Sequence, residues 1–196
     1  MQLFGYYRSS ATYRIRIVLN AKGIDWTYRP VSLVDDEQKA ADFRKLNPAG
    51  LVPALDTGDG VLGQSAAIAE FLEERFPDPA MLPASPVARA QVREMMNTIG
   101  CDVHPLQNLR VLKYLRSEFA QDDDGIAQWC RQWIAFGFST FESLAARHSS
   151  SGKFSFGDSL TLADAWLIPQ VYNARRFELD LRPYPLITDI DRHCSQ

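Results

Sequence analysis

Pro77, Pro79, Pro83 and Pro86 crowd the stretch FPDPAMLPASPVARA. No helix interior or central strand tolerates that density, because each proline lacks a backbone N–H and clashes with the turn before it. The stretch therefore divides the chain into residues 1–77, a linker over 78–86 and residues 87–196. Before it, element types alternate. MQLFGYY reads as a strand, and Ser9 or Ser10 can cap a helix that Gly23 stops near Lys22. Ile15, Val18, Leu19 and Lys22 follow helical spacing. DWTYRPVSL reads as a second strand, Asp36 to Leu46 as a helix and LVPALDTGDGVLGQ as a hairpin with Gly58 and Gly60 in its turn. Ser65 reads as the cap of a third helix bearing Ile68, Phe71, Leu72 and Arg75. The order is β-α-β-α-β-β-α, a compact α/β unit. After the prolines every segment reads as helix, giving α/β followed by all-α. One helix spans about Pro86 to Arg116, interrupted near Gly100 and Pro105, and a second runs to about Arg147. Asp122-Asp123-Asp124 reads as a solvated loop or a capping run, and Thr161-x-x-Asp164 as a capping box.

Composition excludes several classes of function. A net charge of −3, with no basic block among aromatics, argues against nucleic-acid binding. The N-terminus lacks an apolar signal core, and no apolar run approaches the ~20 residues that span a bilayer, so no membrane partner is expected. Cys101, Cys130 and Cys194 are odd in number and far apart, which predicts free thiols in a reduced, cytoplasmic setting. His104, His148 and His193 do not share ligand spacing with them, so no metal site is expected.

Three features of residues 1–77 carry chemistry. Val52-Pro53 opens a strand just after Gly50 and is a candidate cis bond, with a trans turn proline as the alternative. A cis bond there would turn the backbone N–H and C=O of Val52 outward, to pair with an extended peptide. Gln64-Ser65 stands at a helix start. Ser65 is either a plain cap or part of a carboxylate site, since a helix N-terminus offers free N–H groups and partial positive charge. Ser9 and Ser10 stand at another helix start, where a hydroxyl and the helix end can stabilise a thiolate. A backbone edge, a carboxylate site and a thiolate site together match glutathione. Arg14 and Arg16, inside a helix, are expected to be solvated or paired, whereas Arg8 ends the first strand. In the helical half, His104, Gln107 and Asn108 stand at i, i+3 and i+4 and so share one helix face, with Arg110 off that stripe.

The segments RSSATYRIRIVLNAKGI, LNPAGLVPALDTGDGVLGQSAAIAEFLEERFP, CDVHPLQNLRVLKYL and FGDSLTLADAWLIPQV resemble, in order and over essentially the whole chain, the zeta class of glutathione transferases. Within it the chain is similar to the bacterial maleylacetoacetate and maleylpyruvate isomerases. The resemblance implies a thioredoxin-like N-terminal domain, a helical C-terminal domain and a homodimer. It implies glutathione held at Val52, Pro53, Gln64, Ser65 and Asn108. It also implies a catalytic set of Ser9, Ser10, His104 and Arg110, with Arg8 and Arg176 on the substrate. The class usually carries Ser-Ser-Cys where this chain has Ser9-Ser10-Ala11. Sulfur activation then falls to a hydroxyl, Ser9 first, with Ser10 or Thr12 as alternatives, helped by nearby positive charge.

The implied reaction converts a cis maleyl keto dicarboxylate to its trans isomer in aromatic catabolism, with glutathione as cofactor. Two alternatives compete. One is a general transferase or dehalogenase of small electrophiles; the other is a non-catalytic interaction protein of the same fold, which the absent cysteine favours. The chain ends at Cys194-Ser195-Gln196 within what reads as a final helix. Members of the class continue further, so a truncated C-terminus is expected.

Overall fold

The computed structural model describes residues 1–196 and contains two compact units, Met1–Met81 and Leu82–Gln196. The first holds β1 (Gln2–Gly5), α1 (Ser10–Ala21), β2 (Thr27–Pro30), a 3-10 turn (Glu37–Lys39), α2 (Ala41–Leu46), β3 (Ala54–Asp56), β4 (Val61–Gly63) and α3 (Ser65–Arg75). Its sheet runs β2-β1-β3-β4. β1 and β2 are parallel, and β3 is antiparallel to both β1 and β4, with Leu3 opposite Leu55 and Leu55 opposite Leu62. Leu3 and Leu55 are fully buried, as are Ile15, Val18 and Leu19 of α1 and Ile68 and Leu72 of α3. The expected helix over 36–46 is broken instead: Ala40 adopts ψ 146 between the 3-10 turn and α2.

Lys22, read as the polar end of an apolar stripe, is a buried structural cation. Its Nζ pairs with Glu73 Oε2 at 2.7 Å and donates to the carbonyls of Phe76 (2.7 Å) and Pro79 (2.9 Å). Glu73 in turn accepts from the Met81 N–H. The C-cap residue of α1 thus closes the C-terminal end of α3, where the helix dipole favours positive charge.

The second unit holds α4 (Pro86–Gly100), a 3-10 turn (His104–Gln107), α5 (Leu109–Phe119), α6 (Asp123–His148), α7 (Leu162–Arg176) and α8 (Pro185–Cys194). α7 is its axis, with Leu162 through Val171 all buried. Gly137 lets α6 lie against the approach to the 3-10 turn, since a Cβ there would meet Val103 Cγ2 at 2.1 Å. Asp122 caps α6, its carboxylate accepting from the Gly125 N–H at 2.9 Å.

The capping box at α7 is present and extends further. Asp164, fully buried, accepts from the backbone N–H of Thr161 (2.7 Å), the Thr161 hydroxyl (3.0 Å) and the backbone N–H of Ser155 (2.6 Å). Burial pushes its carboxyl above the ordinary range, against the pull of the bonds from Ser155 and Thr161. Asp164→Asn keeps the shape but offers a single acceptor oxygen, so one of the two backbone donors loses its partner. Urea unfolding is expected to show a loss of about 2 kcal/mol.

Candidate active site

Strand direction assembles the first part of the site. β1 and β4 both run antiparallel to β3, so they point the same way, and Phe4, Ala54 and Gly63 stand in register across the sheet. The chain leaves β1 into α1 and β4 into α3 at that same end, and Val52 enters β3 there. Two helix N-termini and a free stretch of backbone are thus brought to one edge by topology alone.

Ser9 is the N-cap of α1, and its hydroxyl oxygen accepts the Thr12 N–H at 3.2 Å. The hydroxyl proton is left to donate elsewhere. Ser10 and Ala11 occupy the first turn, half-buried, and Arg8 is exposed just before the cap. Thr12, the other hydroxyl considered for the sulfur, is enclosed in the domain. It is 1 % exposed and packs on Gly5, where a Cβ would lie 2.3 Å from Thr12 Cγ2.

The Val52–Pro53 bond is cis, and Val52 is half-buried immediately before β3. The loop ahead of it is set by Asn47, whose Nδ2 donates to the Leu51 carbonyl at 2.7 Å and whose Oδ1 accepts from the Ala49 N–H. The Asp78–Pro79 bond is also cis, which the sequence did not signal.

Ser65 is not the cap of α3. Gln64 takes that position with φ 65 and ψ 118, and its carbonyl accepts the Ile68 N–H. A non-glycine residue held there costs about 1–3 kcal/mol, strain that concentrates where a backbone must present itself to a ligand. The Gln64 side chain is exposed. Ser65 is the first helical residue, and its hydroxyl oxygen accepts from Arg14 Nη1 at 3.4 Å. Arg14 is only 2 % exposed and takes the paired form of its expectation, because residues 14, 18 and 22 lie along one ridge, running from α1 into its C-cap, that faces α3. Arg16 follows the expected pattern better, half-buried over the Tyr13 ring at 5.8 Å. The donors here suit an anion: free N–H groups, a hydroxyl with its proton available and a buried cation.

In the second unit the polar triplet does not share one α-helical face. Pro105 lies in the 3-10 turn, which changes the local geometry. Half-buried His104 opens the turn, while buried Gln107 closes it and accepts through Oε1 from Gln170 Nε2 (3.2 Å) and Asn173 Nδ2 (2.5 Å). Asn108 caps α5, its Oδ1 accepting the Arg110 N–H at 3.2 Å. Arg110 is exposed in the first turn of α5, and Arg176 is exposed at the end of α7. Gln107 thereby ties the turn bearing His104 to the helix bearing Arg176, a link visible only in three dimensions.

Cys130 is buried and Cys194 half-buried. Burial pushes the Cys130 thiol up to about 11, against the pull of Arg176 and Arg131. Burial, reinforced by Asp164 and Asp191, pushes Cys194 up to about 12. No group of three or more His, Cys, Asp or Glu is arranged to hold a metal ion.

A family model described as the glutathione S-transferase N-terminal domain matches residues 8–75. The chain is 48 % identical to the maleylpyruvate isomerase of Ralstonia sp., over all of this chain and 92 % of that protein. A holo structure of maleylpyruvate isomerase, described as a bacterial zeta-class glutathione S-transferase, is 49 % identical and superposes with a TM-score of 0.97 over 100 % of this chain and 92 % of that one. The maleylacetoacetate isomerase of Methylobacterium extorquens AM1, solved with bound malonate and glutathione, is 34 % identical with a TM-score of 0.94, over 99 % of this chain and 91 % of that one.

Proposed function

This chain belongs to the zeta class of the glutathione S-transferase family, and on that premise we propose that it is a glutathione-dependent cis–trans isomerase of a maleyl keto acid. The observation that carries this is the edge where two helix N-termini and Val52 converge beside Ser9 and Ser65. Identity of 48 % to a maleylpyruvate isomerase supports the substrate class. When bound, glutathione supplies a thiolate that adds reversibly to the conjugated cis double bond and so permits rotation about it.

The residues divide the remaining work. Val52 offers its backbone to the peptide of glutathione, with Pro53 leading into the buried strand behind it. Gln64, Ser65 and the first N–H groups of α3 hold the γ-glutamyl carboxylate, and Asn108, the cap of α5, offers its Nδ2 as a further donor. Ser9 donates its hydroxyl proton to the sulfur, and the α1 N-terminus favours the negative charge. Ser10, one residue on, is the secondary hydroxyl. His104 and Arg110 serve as donors to the oxygen on which charge develops during addition, where a preorganised donor lowers the barrier most. Arg8 and Arg176 bind the substrate's carboxylates through their planar forks. Local arginines of this kind draw a dianion to a protein of net charge −3.

Arg176→Ala is expected to raise KM at least about tenfold with a smaller change in kcat, as loss of a ground-state carboxylate contact does. Steady-state kinetics with an unchanged KM would remove Arg176 from this role.

The working assembly is a homodimer in the cytoplasm. Exposed Phe136, at 58 %, lies on α6 in a groove of about 600 Å³ shared with Glu94 of α4 and with Gln132, Ser139, Thr140 and Ser143, a face suited to a second copy. Its cysteines are all free, in keeping with a reduced compartment, and no helix is long and apolar enough to cross a membrane. The function is tested by incubating the protein with maleylpyruvate or maleylacetoacetate, with and without glutathione. Loss of the cis isomer only in the presence of glutathione is expected; no dependence on glutathione for either acid overturns the proposal.

A further inference from the structure

Apolar packing holds residues 104–119 only thinly. The 3-10 turn is four residues long, and hydrogen-bond geometry in such turns is poorer than in an α-helix. Val103, fully buried, anchors its start, but α5 beyond it buries none of its residues. Where few apolar contacts are buried, polar tethers decide where a segment sits. Two act on this turn. Trp129 of α6 donates its indole N–H to the Leu106 carbonyl at 2.8 Å. Gln107 joins the turn to α7 through fully buried Gln170 and half-buried Asn173.

The bonds of Gln107 fix which way its amide points. Its Nε2 donates to the Val103 carbonyl at 3.4 Å, and a carbonyl only accepts. Oε1 is thereby turned to α7, where it takes the NH2 groups of Gln170 and Asn173 together. Such a cluster is a poor way merely to fill space. Gln170 is buried with its own Oε1 meeting no protein donor, whereas an apolar side chain would need none. Asn173 stands three residues before Arg176, on the same side of α7. A single oxygen thus relates residues 104–110 to the end of α7 that bears Arg176.

We propose that Gln107 is a positioning residue that sets the separation between the donors on residues 104–110 and the fork of Arg176. It thereby favours an acid that is gripped at both ends. Gln107 touches neither substrate nor glutathione in this role. A shift of about 1 Å between two grips can cost about 100-fold, so a small repacking at Gln107 is felt by a two-ended substrate. Its part in turnover rests on the isomerase reading above; its part in holding a two-ended acid does not.

The test is a double-mutant cycle on wild type, Gln107→Met, Arg176→Ala and the double variant. Methionine keeps the length of glutamine and removes the acceptor. With Arg176 present, Gln107→Met is expected to lower kcat/KM for the maleyl keto acid about tenfold. In the Arg176→Ala background the loss is expected to be less than about twofold, since no separation remains to be set. A residue that merely holds the fold loses the same factor in both backgrounds, and that outcome overturns the inference. Should Gln107→Met not fold, Asn173→Ala carries the cycle, because it cuts the link beside Arg176 and leaves the Gln107–Gln170 pair intact. A loss of about threefold with Arg176 and none without it is then expected, and equal losses overturn the inference. If wild type does not isomerise either acid, calorimetry with the trans keto acid reads the same cycle as affinities. Factors of about ten and less than two there mean that the isomerase reading fails and Gln107 keeps its role. Equal factors, or no binding of the trans acid to wild type, overturn both.

Discussion

Lys22→Met is expected to cost about 3–5 kcal/mol of folding free energy, measured by urea unfolding. Methionine is unbranched like lysine and only one atom shorter, so little of the loss comes from a cavity. It comes from leaving Glu73, 5 % exposed, as a buried carboxylate without its cation, and from removing the donor to the Phe76 and Pro79 carbonyls. Glu73→Gln in the Lys22→Met background removes the stranded charge and is expected to recover part of the loss, since neighbours in one network are not additive. A loss below about 1 kcal/mol would mean that the pair is solvated and does not close α3.

Ser9→Ala is expected to lower kcat/KM about 100-fold, the scale of losing one donor to a charged reacting atom. The same change removes the cap on α1 and about 1 kcal/mol of stability, so activity alone does not isolate the chemistry. Ser9→Asp does. Its carboxylate accepts the Thr12 N–H as the serine does, but it donates no proton at neutral pH and repels a thiolate. Stability near wild type with activity below that of Ser9→Ala is expected. The pH profile gives an independent readout: without the hydroxyl, the acid limb of kcat/KM moves upward, because the bound thiol ionises less readily. Ser10→Ala, which leaves the Ser9 cap intact, is expected to cost only a few-fold. A hundredfold loss in Ser10→Ala with little change in Ser9→Ala would reverse the assignment.

Local signals were legible where one residue suffices to produce them. Ser9 before an apolar stripe marks the start of α1, Gly58 turns the β3–β4 hairpin, and Thr161-x-x-Asp164 opens α7. What escaped depends on partners far along the chain. Arg14 reads no more finely than solvated or paired, because Ser65, to which it donates, lies 51 residues away. Lys22 reads as the polar end of a stripe because Glu73, which neutralises it, belongs to another helix. Ser65 reads as a cap because serine at a helix start ordinarily is one. The strained backbone of Gln64, which displaces it by one residue, leaves no trace in residue type. The triplet His104, Gln107 and Asn108 fits α-helical spacing on paper, but the 3-10 turn around Pro105 sends Gln107 into α7 and makes Asn108 a cap. At Ala11 the departure from the class pattern is plain in the sequence. The burial of Thr12 against Gly5 is not.

The proposed isomerisation uses glutathione and returns it. Proton NMR of a mixture holding the cis acid in large excess over glutathione follows both at once. Every cis molecule is expected to appear as the trans isomer while the glutathione signals keep their full intensity. Consumption of one glutathione per cis acid, with a stable thioether accumulating, would contradict it and identify a conjugating transferase.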